Sequence, residues 1–241
     1  MEKNLVVQSN ALIEAHYKQE YSVQEQRTVL WVISEVHKKA YFSTGPYKNK
    51  ILRISAQQYA DLMGVSVKNI YRDAQKIGNS LMEKVIKIEN AQGWEMFHWI
   101  SSMKYIKNEA IIEVSLSDSM LPYIIDLEQY VSFKLENILY LNSSYAIKIY
   151  QLLVQYKKIG VRDIGVNELR SILGIENLSA YKLYGNIKKR ILDISKREIN
   201  EKTDLDISYT EIKKHRKVEA IKFKITQKPK PESKFSETVL A

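Results

Sequence analysis

The chain contains no cysteine. That excludes disulfides, thiolate metal sites and cysteine nucleophiles. No apolar run approaches the roughly 18 residues that a membrane span requires. The apolar stretch inside MEKNLVVQSN is too short for a secretory signal, so the expected location is the cytoplasm. No G-x-x-x-x-G-K-[ST] occurs, and with it goes a phosphate loop for ATP. Histidine is scarce. His16, His37, His98 and His215 are scattered, and neither H-x-H nor H-E-x-x-H is present, which argues against a zinc protease or a metal-assisted DNA nickase. No two acidic residues are marked out as an acid/base couple. The 16 tyrosines are read as core or groove-lining residues, because an aromatic body with a polar tip suits both places. The expectation is a protein that is not an enzyme and needs no cofactor or metal.

What is present is a charge imbalance. The 241 residues are 45% hydrophobic and 27% charged, the composition of a folded protein with room for two domains. The net charge is +9, and it is confined to one half. Residues 1–129 hold 15 Lys+Arg against 15 Asp+Glu, while residues 130–241 hold 22 against 13. A basic face favours a polyanion, and confinement to one half is not explained by solubility alone. The neutral half holds all three tryptophans, Trp31, Trp94 and Trp99, which marks it as the half for protein–protein contacts.

The chain also repeats itself. Ile54 to Val65 reads ISAQQYADLMGV and Ile164 to Ile175 reads IGVNELRSILGI. At a shift of 110 residues Tyr59 meets Leu169, Leu62 meets Ile172, Met63 meets Leu173 and Gly64 meets Gly174. Each glycine sits where a helix C-terminus favours a left-handed residue. Beyond it, Ile70, Ala74, Ile77 and Leu81 fall on Ala180, Tyr184, Ile187 and Ile191, and Tyr71 on Tyr181. The second copy predicts a buried stripe of Ala180, Tyr184, Ile187, Ile191 and Ile194 on one helix. Its other face is cationic, with six Lys/Arg from Ser179 to Arg197 against one acid, Asp193. A helix-turn-helix with a basic second helix is a way to enter the DNA major groove.

Other elements follow from local pattern. Ser22 with Glu25 forms a capping box ahead of a helix reaching about Lys38. Gly45-Pro46 turns a loop from Tyr41 to Lys50. Strands are predicted at Ile51–Ile54, Val85–Glu89, Trp94–Ile106 and Ala110–Leu116, with turns at Asn90–Gly93 and Asn108–Glu109. Ser117–Leu127 is read as a short helix with Pro122 near its start, and Tyr130–Leu141 as a linker strand or turn. Asn142-Ser143-Ser144 caps a helix from Tyr145 to Tyr156. Strands Leu205–Ile212 and Val218–Ile225 flank the basic tip Lys213-Lys214-His215-Arg216-Lys217. A helix-turn-helix followed by a β-hairpin is a winged helix. The expected fold is therefore α+β, two tandem winged-helix domains related by an internal repeat. Residues 1–128 form the first and 129–226 the second, with 227–241 a flexible, proline-bearing tail.

The candidate DNA-binding residues are Lys68, Asn69, Tyr71, Arg72 and Lys76 on the first helix. On the second they are Ser179, Tyr181, Lys182, Asn186, Lys189 and Arg190, joined by the wing residues Lys213, Lys214, Arg216 and Lys217. Two stretches carry a family resemblance. Asn10-Ala11-Leu12-Ile13-Glu14-Ala15 with Ser22-Val23-Gln24-Glu25-Gln26-Arg27 resembles the opening of the plasmid replication initiators that bind iteron repeats. Leu141-Asn142-Ser143-Ser144-Tyr145-Ala146-Ile147-Lys148-Ile149-Tyr150-Gln151-Leu152-Leu153 is similar to the helix opening their second domain. The resemblance covers roughly residues 5 to 226. It implies origin binding as a monomer on double-stranded DNA and a homodimer through the first domain that represses the initiator's own gene. It also implies recruitment of the host initiator protein and helicase. The competing class is a winged-helix transcription regulator.

Overall fold

The structure is a computed structural model and describes residues 4–42, 51–90, 93–125, 127 and 129–229. Strand β1 (Leu5–Ser9) runs into a short helix α1 (Asn10–Glu14), then β2 (His16–Tyr17) and the long helix α2 (Val23–Phe42). The capping box at the head of α2 is formed in both directions. The Ser22 N–H donates to Glu25 Oε2 at 2.7 Å, and the Glu25 N–H to Ser22 Oγ at 3.2 Å. Val29 to Ile33 are five consecutive buried residues, so α2 is surrounded and forms the core of the first half.

The first winged helix follows as β3 (Ile51–Ser55), α3 (Ala56–Met63), a 3-10 turn (Val67–Asn69) and α4 (Ile70–Glu83). Next come β4 (Val85–Asn90), β5 (Gly93–His98), β6 (Ile100–Ile106) and β7 (Ile111–Leu116). The single strand expected over Trp94–Ile106 is two. Trp99 is the corner, with its indole buried and donating to Tyr21 Oη at 3.0 Å, and there the chain leaves one sheet for another. One sheet is β2-β4-β5, and the other, the wing sheet, is β3-β7-β6. Trp31 and Trp99 are core residues, and only Trp94 is exposed, so two of the three tryptophans read as interface are packing.

Residues Asp118–Tyr123 form a 3-10 helix with Pro122 near its end, not its start. Its 3-10 bonds, from the Met120 N–H to Ser117 O and from the Ile124 N–H to Leu121 O, pass over the N–H that proline lacks. The stretch read as a linker strand or turn holds a strand, β8 (Tyr130–Lys134), and a short helix, α5 (Glu136–Leu139). β8 pairs antiparallel with β1, from Leu5 opposite Lys134 to Ser9 opposite Tyr130. A cut between residues 128 and 129 would separate these two strands. The Gly45-Pro46 loop, Ala91-Gln92, Glu128 and the tail from Lys230 lie outside the described residues.

Helix α6 (Ser144–Val154) is buried from Ala146 to Val154. Its N-terminus is held twice, by Ser143 Oγ on the Ala146 N–H (3.3 Å) and by the Glu198 carboxylate on the Asn142 and Ser143 N–H groups (2.7 and 3.1 Å). The second winged helix is β9 (Val161–Gly165), α7 (Val166–Leu173), a 3-10 turn (Ser179–Tyr181) and α8 (Tyr184–Ile187). A π-helical turn (Lys188–Leu192) links α8 to α9 (Asp193–Lys202), before β10 (Leu205–Lys214) and β11 (Lys217–Gln227). Its sheet is β10-β11-β9, the counterpart of β6-β7-β3.

The repeat is exact at its start. β3 and β9 share one burial pattern, and Gly64 and Gly174 both end their helices at φ 69°. It fails at Ala180, which is exposed, because the helical stripe begins only at Tyr184. The wider π turn then shifts the phase, so that Ile187, Ile191, Leu192, Ser195 and Ile199 face inward and Ile194 is only half-buried.

The two halves are packed against one another. Glu14 accepts from Arg162 at 2.6 Å and from the Gln155 amide at 2.9 Å. Gln8 meets Gln151 at 3.0 Å, and His16 meets Ser171 at 2.6 Å. Gly174 lies so near Gln19 that a Cβ there would stand 2.5 Å from its carbonyl oxygen. Arg27 donates to the carbonyls of Met63 (3.0 Å), Leu139 (2.7 Å) and Leu141 (3.2 Å). Lys148, 2% exposed, lies in this seam with its Nζ 4.0 Å from the centre of the Tyr17 ring and no hydrogen-bond partner among the described residues.

Candidate nucleic-acid interface

On the first winged helix, α4 buries Ile70, Ala74, Ile77 and Leu81 and turns Tyr71, Arg72, Gln75, Lys76 and Asn79 outward. Lys68 and Asn69 are exposed on the 3-10 turn that leads into it. The Tyr71 ring stands edge-on to Tyr105 of β6, centroids 5.3 Å apart. A groove of about 280 Å³ runs between α4 and β6, with Tyr71, Gln75, Asn79, Met82, Lys104 and Tyr105 among its lining residues. Gly78 permits this approach, since a Cβ there would meet Met103 Sδ at 3.0 Å. Arg72 is offset by Asp73, 3.3 Å away, which leaves Lys68 and Lys76 as the exposed cations of this turn and helix.

The second face is different. Lys182, Lys189, Arg190, Lys196 and Arg197 are exposed, and no ion pair holds any of them among the described residues. The π turn places Lys189 and Arg190 at the surface, side by side with Lys188. Lys188 itself is bound to Glu211 of β10 at 2.8 Å, and Lys213 lies 3.5 Å from the same carboxylate. The hydrogen bond from Lys188 holds the Glu211 carboxyl below the usual range, so the acid is spent within the wing. The hairpin of β10 and β11 ends at His215 (φ 55°) and Arg216, with Lys213, Lys214, Arg216 and Lys217 all exposed. A bulge between Ile212 and Lys213 bends the strand just before this tip.

Four of the expected residues have another engagement, Lys213 with Glu211 among them. Asn186 donates its amide to Ala180 O at 2.6 Å and so closes the turn before α8. Tyr181 is half-buried, its ring edge-on to Tyr145 at 5.9 Å and its hydroxyl accepting from Tyr145 at 3.0 Å. Arg72 meets Asp73. Ser179, Lys182, Lys189 and Arg190 are exposed, and Lys188 beside the last two reaches the wing through Glu211.

Sequence reasoning passed over several residues. Arg170 pins the turn by donating to Tyr181 O (3.2 Å) and Lys182 O (3.0 Å). Gln75 and Asn79 share the outer face of α4. Lys104 and Lys107 are exposed on the first wing. The 110-residue shift would have found these last two, since it carries them onto Lys214 and Lys217. No group of three or more His, Asp or Glu that could hold a metal ion occurs among the described residues. Among them, too, no helix is long and apolar enough to cross a membrane.

A family model described as the first winged helix of the initiator replication proteins matches residues 5–154, and the model of their second winged helix matches residues 165–225. The chain belongs to the initiator replication protein family. A replication initiation protein of Escherichia coli is 24% identical over 167 residues, which is 66% of this chain and 52% of that protein. The chain thus spans about half the length of that curated relative. The crystal structure of the Pi initiator protein in complex with iteron DNA superposes with a TM-score of 0.66 over 93% of this chain and 98% of the other, at 19% identity. At that identity the likeness shows the fold, two winged helices in tandem. The first family match runs through β8 and α6, and so includes the strand that completes β1.

Proposed function

We propose that this initiator replication protein starts plasmid replication by binding repeated origin sequences on double-stranded DNA, with both winged helices on one face of the duplex. The observation that carries the reading is the cationic surface of the second winged helix, on which Lys188 and Lys213 meet an acid, Glu211, while Lys182, Lys189 and Arg190 meet none among the described residues. Lys182, Lys189 and Arg190 continue into a wing bearing Lys213, Lys214, Arg216 and Lys217. The Pi initiator, which shares this fold, is described with iteron DNA. The second winged helix is the main reader. The first, through Lys68, Asn69, Tyr71, Arg72 and Lys76, makes the auxiliary contact. Their centres fall about one helical turn apart, roughly 10.5 bp, and one monomer covers about 20 bp.

The first half also supplies a homodimer contact, through which the dimer represses its own gene. Strand β5 is an edge of the β2-β4-β5 sheet among the described residues, with Trp94 64% and Met96 42% exposed. Host initiator protein and helicase are the further partners, and the chain acts in the cytoplasm without chemistry of its own. Footprinting on the parent replicon tests the reading. Protection of several tandem direct repeats supports an initiator, whereas a single protected palindrome makes the chain a winged-helix transcription regulator.

A further inference from the structure

The first turn of the second recognition helix presents an apolar side chain to solvent. Leu183 is 71% exposed, at the level of the most exposed large apolar residues among those described. It is the N-cap of α8 (φ −84°, ψ 124°), and its carbonyl accepts the Asn186 N–H at 3.1 Å. N-terminal residues of a recognition helix are the ones that meet base edges in the major groove.

The position is also held firmly. Arg170 binds the carbonyls of the two residues before it, and the Asn186 amide binds Ala180 O. Tyr181 is anchored on Tyr145. These bonds fix the backbone that carries Leu183, and they also occupy several of the polar groups beside it. The Asn186 amide is committed to the turn, Lys188 to Glu211, and Tyr181 to the seam. Ser179, Lys182 and Leu183 remain exposed ahead of the helix, with Lys189 and Arg190 following on the π turn, and of these only Leu183 is apolar. In the major groove the one apolar feature of a base pair is the C5-methyl group of thymine.

We propose that Leu183 is a specificity residue that reads a thymine methyl group. The assignment rests on the initiator reading, in which the second winged helix enters the major groove. Burying one methyl against a leucine favours thymine over its demethylated analogue by about 3- to 10-fold.

The full-length chain is used to select duplexes from a randomised pool. Each thymine of the selected site is then replaced singly by deoxyuridine, which removes the methyl and keeps every hydrogen-bonding group. The expected result is one thymine per bound monomer at which the wild type loses about 3- to 10-fold in affinity. Leu183→Ala loses a similar factor on the parent site and no longer distinguishes thymine from deoxyuridine at that position. Leu183→Ala on a scrambled duplex should bind as the wild type does, because an exposed side chain contributes little to the fold. Identical deoxyuridine profiles for the two proteins overturn the assignment and leave the initiator reading intact. So does a loss that is equal on selected and scrambled duplexes, which would assign Leu183 to the turn alone. A chain that selects no duplex defeats the initiator reading itself, and this assignment with it.

Discussion

Lys148→Met replaces an amine that the seam buries without a hydrogen-bond partner among the described residues. Burial pulls the Lys148 amine down to about 7, with Glu14 opposing the fall and Arg162 adding to it. The other polar groups around it are the hydroxyls of Tyr17, Tyr21, Ser144 and Tyr145 and the Gln26 amide. The folded chain therefore holds its proton less tightly than the unfolded chain. Between about pH 7 and pH 10.5 the unfolded state binds more protons, and stability rises with pH across that window. The cost of burying the ammonium is fully present below about pH 7 and gone above about 10.5.

At about 1.4 kcal/mol per pH unit the full cost is roughly 5 kcal/mol, falling to about 4 at pH 7 and about 2 at pH 9. Methionine fills the space without the charge but loses the cation–π contact with Tyr17, worth up to about 2 kcal/mol. The expected result is that Lys148→Met is more stable than the wild type by about 2–4 kcal/mol at pH 7, with the gain shrinking by about 2 kcal/mol at pH 9. Urea unfolding of both proteins at pH 6, 7, 8 and 9 measures it. A gain independent of pH would show that the amine is not what the substitution relieves. A loss of stability at pH 7 would show that the Nζ is well satisfied, and would refute the reasoning.

The glycines of the repeat make a second test. Gly174→Ala would drive a Cβ to 2.5 Å from Gln19 O, whereas at Gly64 the nearest atom is the tip of Arg27 at 3.2 Å. Both pay the strain of a left-handed alanine, about 1–2 kcal/mol, but Gly174→Ala should show the larger fall in Tm, and equal falls would argue against the close seam. DNA binding should weaken by about 10³–10⁵ between 50 and 200 mM salt if roughly 6–10 phosphates are neutralised, and a titration that is flat over that range contradicts the cationic surface as the binding face. At fixed salt, Lys189→Ala with Arg190→Ala should cost more affinity than Arg72→Ala with Lys76→Ala, by about 1–3 kcal/mol if a base contact is lost. The reverse order would make the first winged helix the main reader.

Much of this architecture was legible because it is local. The 110-residue repeat rests on helical periodicity and two terminal glycines, and the Ser22–Glu25 cap spans three positions. The wing of the second half announces itself as alternating residues around a basic tip. What was not legible depends on partners far away in the chain. Nothing in Leu5-Val6-Val7 names Phe133 or Lys134, so β8 read as a linker strand or turn without its partner. Lys188 to Leu192 has ordinary helical periodicity, and only the packing of Ile187 and Leu192 in the folded chain reveals the extra residue in that turn. Asn186 and Tyr181 read as DNA contacts because their types suit DNA, while their hydrogen bonds to Ala180 and Tyr145 carry no sequence signal. Arg170 was missed for the same reason. It lies on the helix before the turn it holds.

The pairing of β1 with β8 also sets the order in which the chain can fold. β1 leaves the ribosome long before its partner, which is synthesised only once residues 130–134 are made. Until then the apolar Leu5, Val6 and Val7 have no strand to join, and the edge that β8 will cover stays open. The first half therefore cannot finish folding as it emerges. Its completion is deferred until residues 130–134 have emerged.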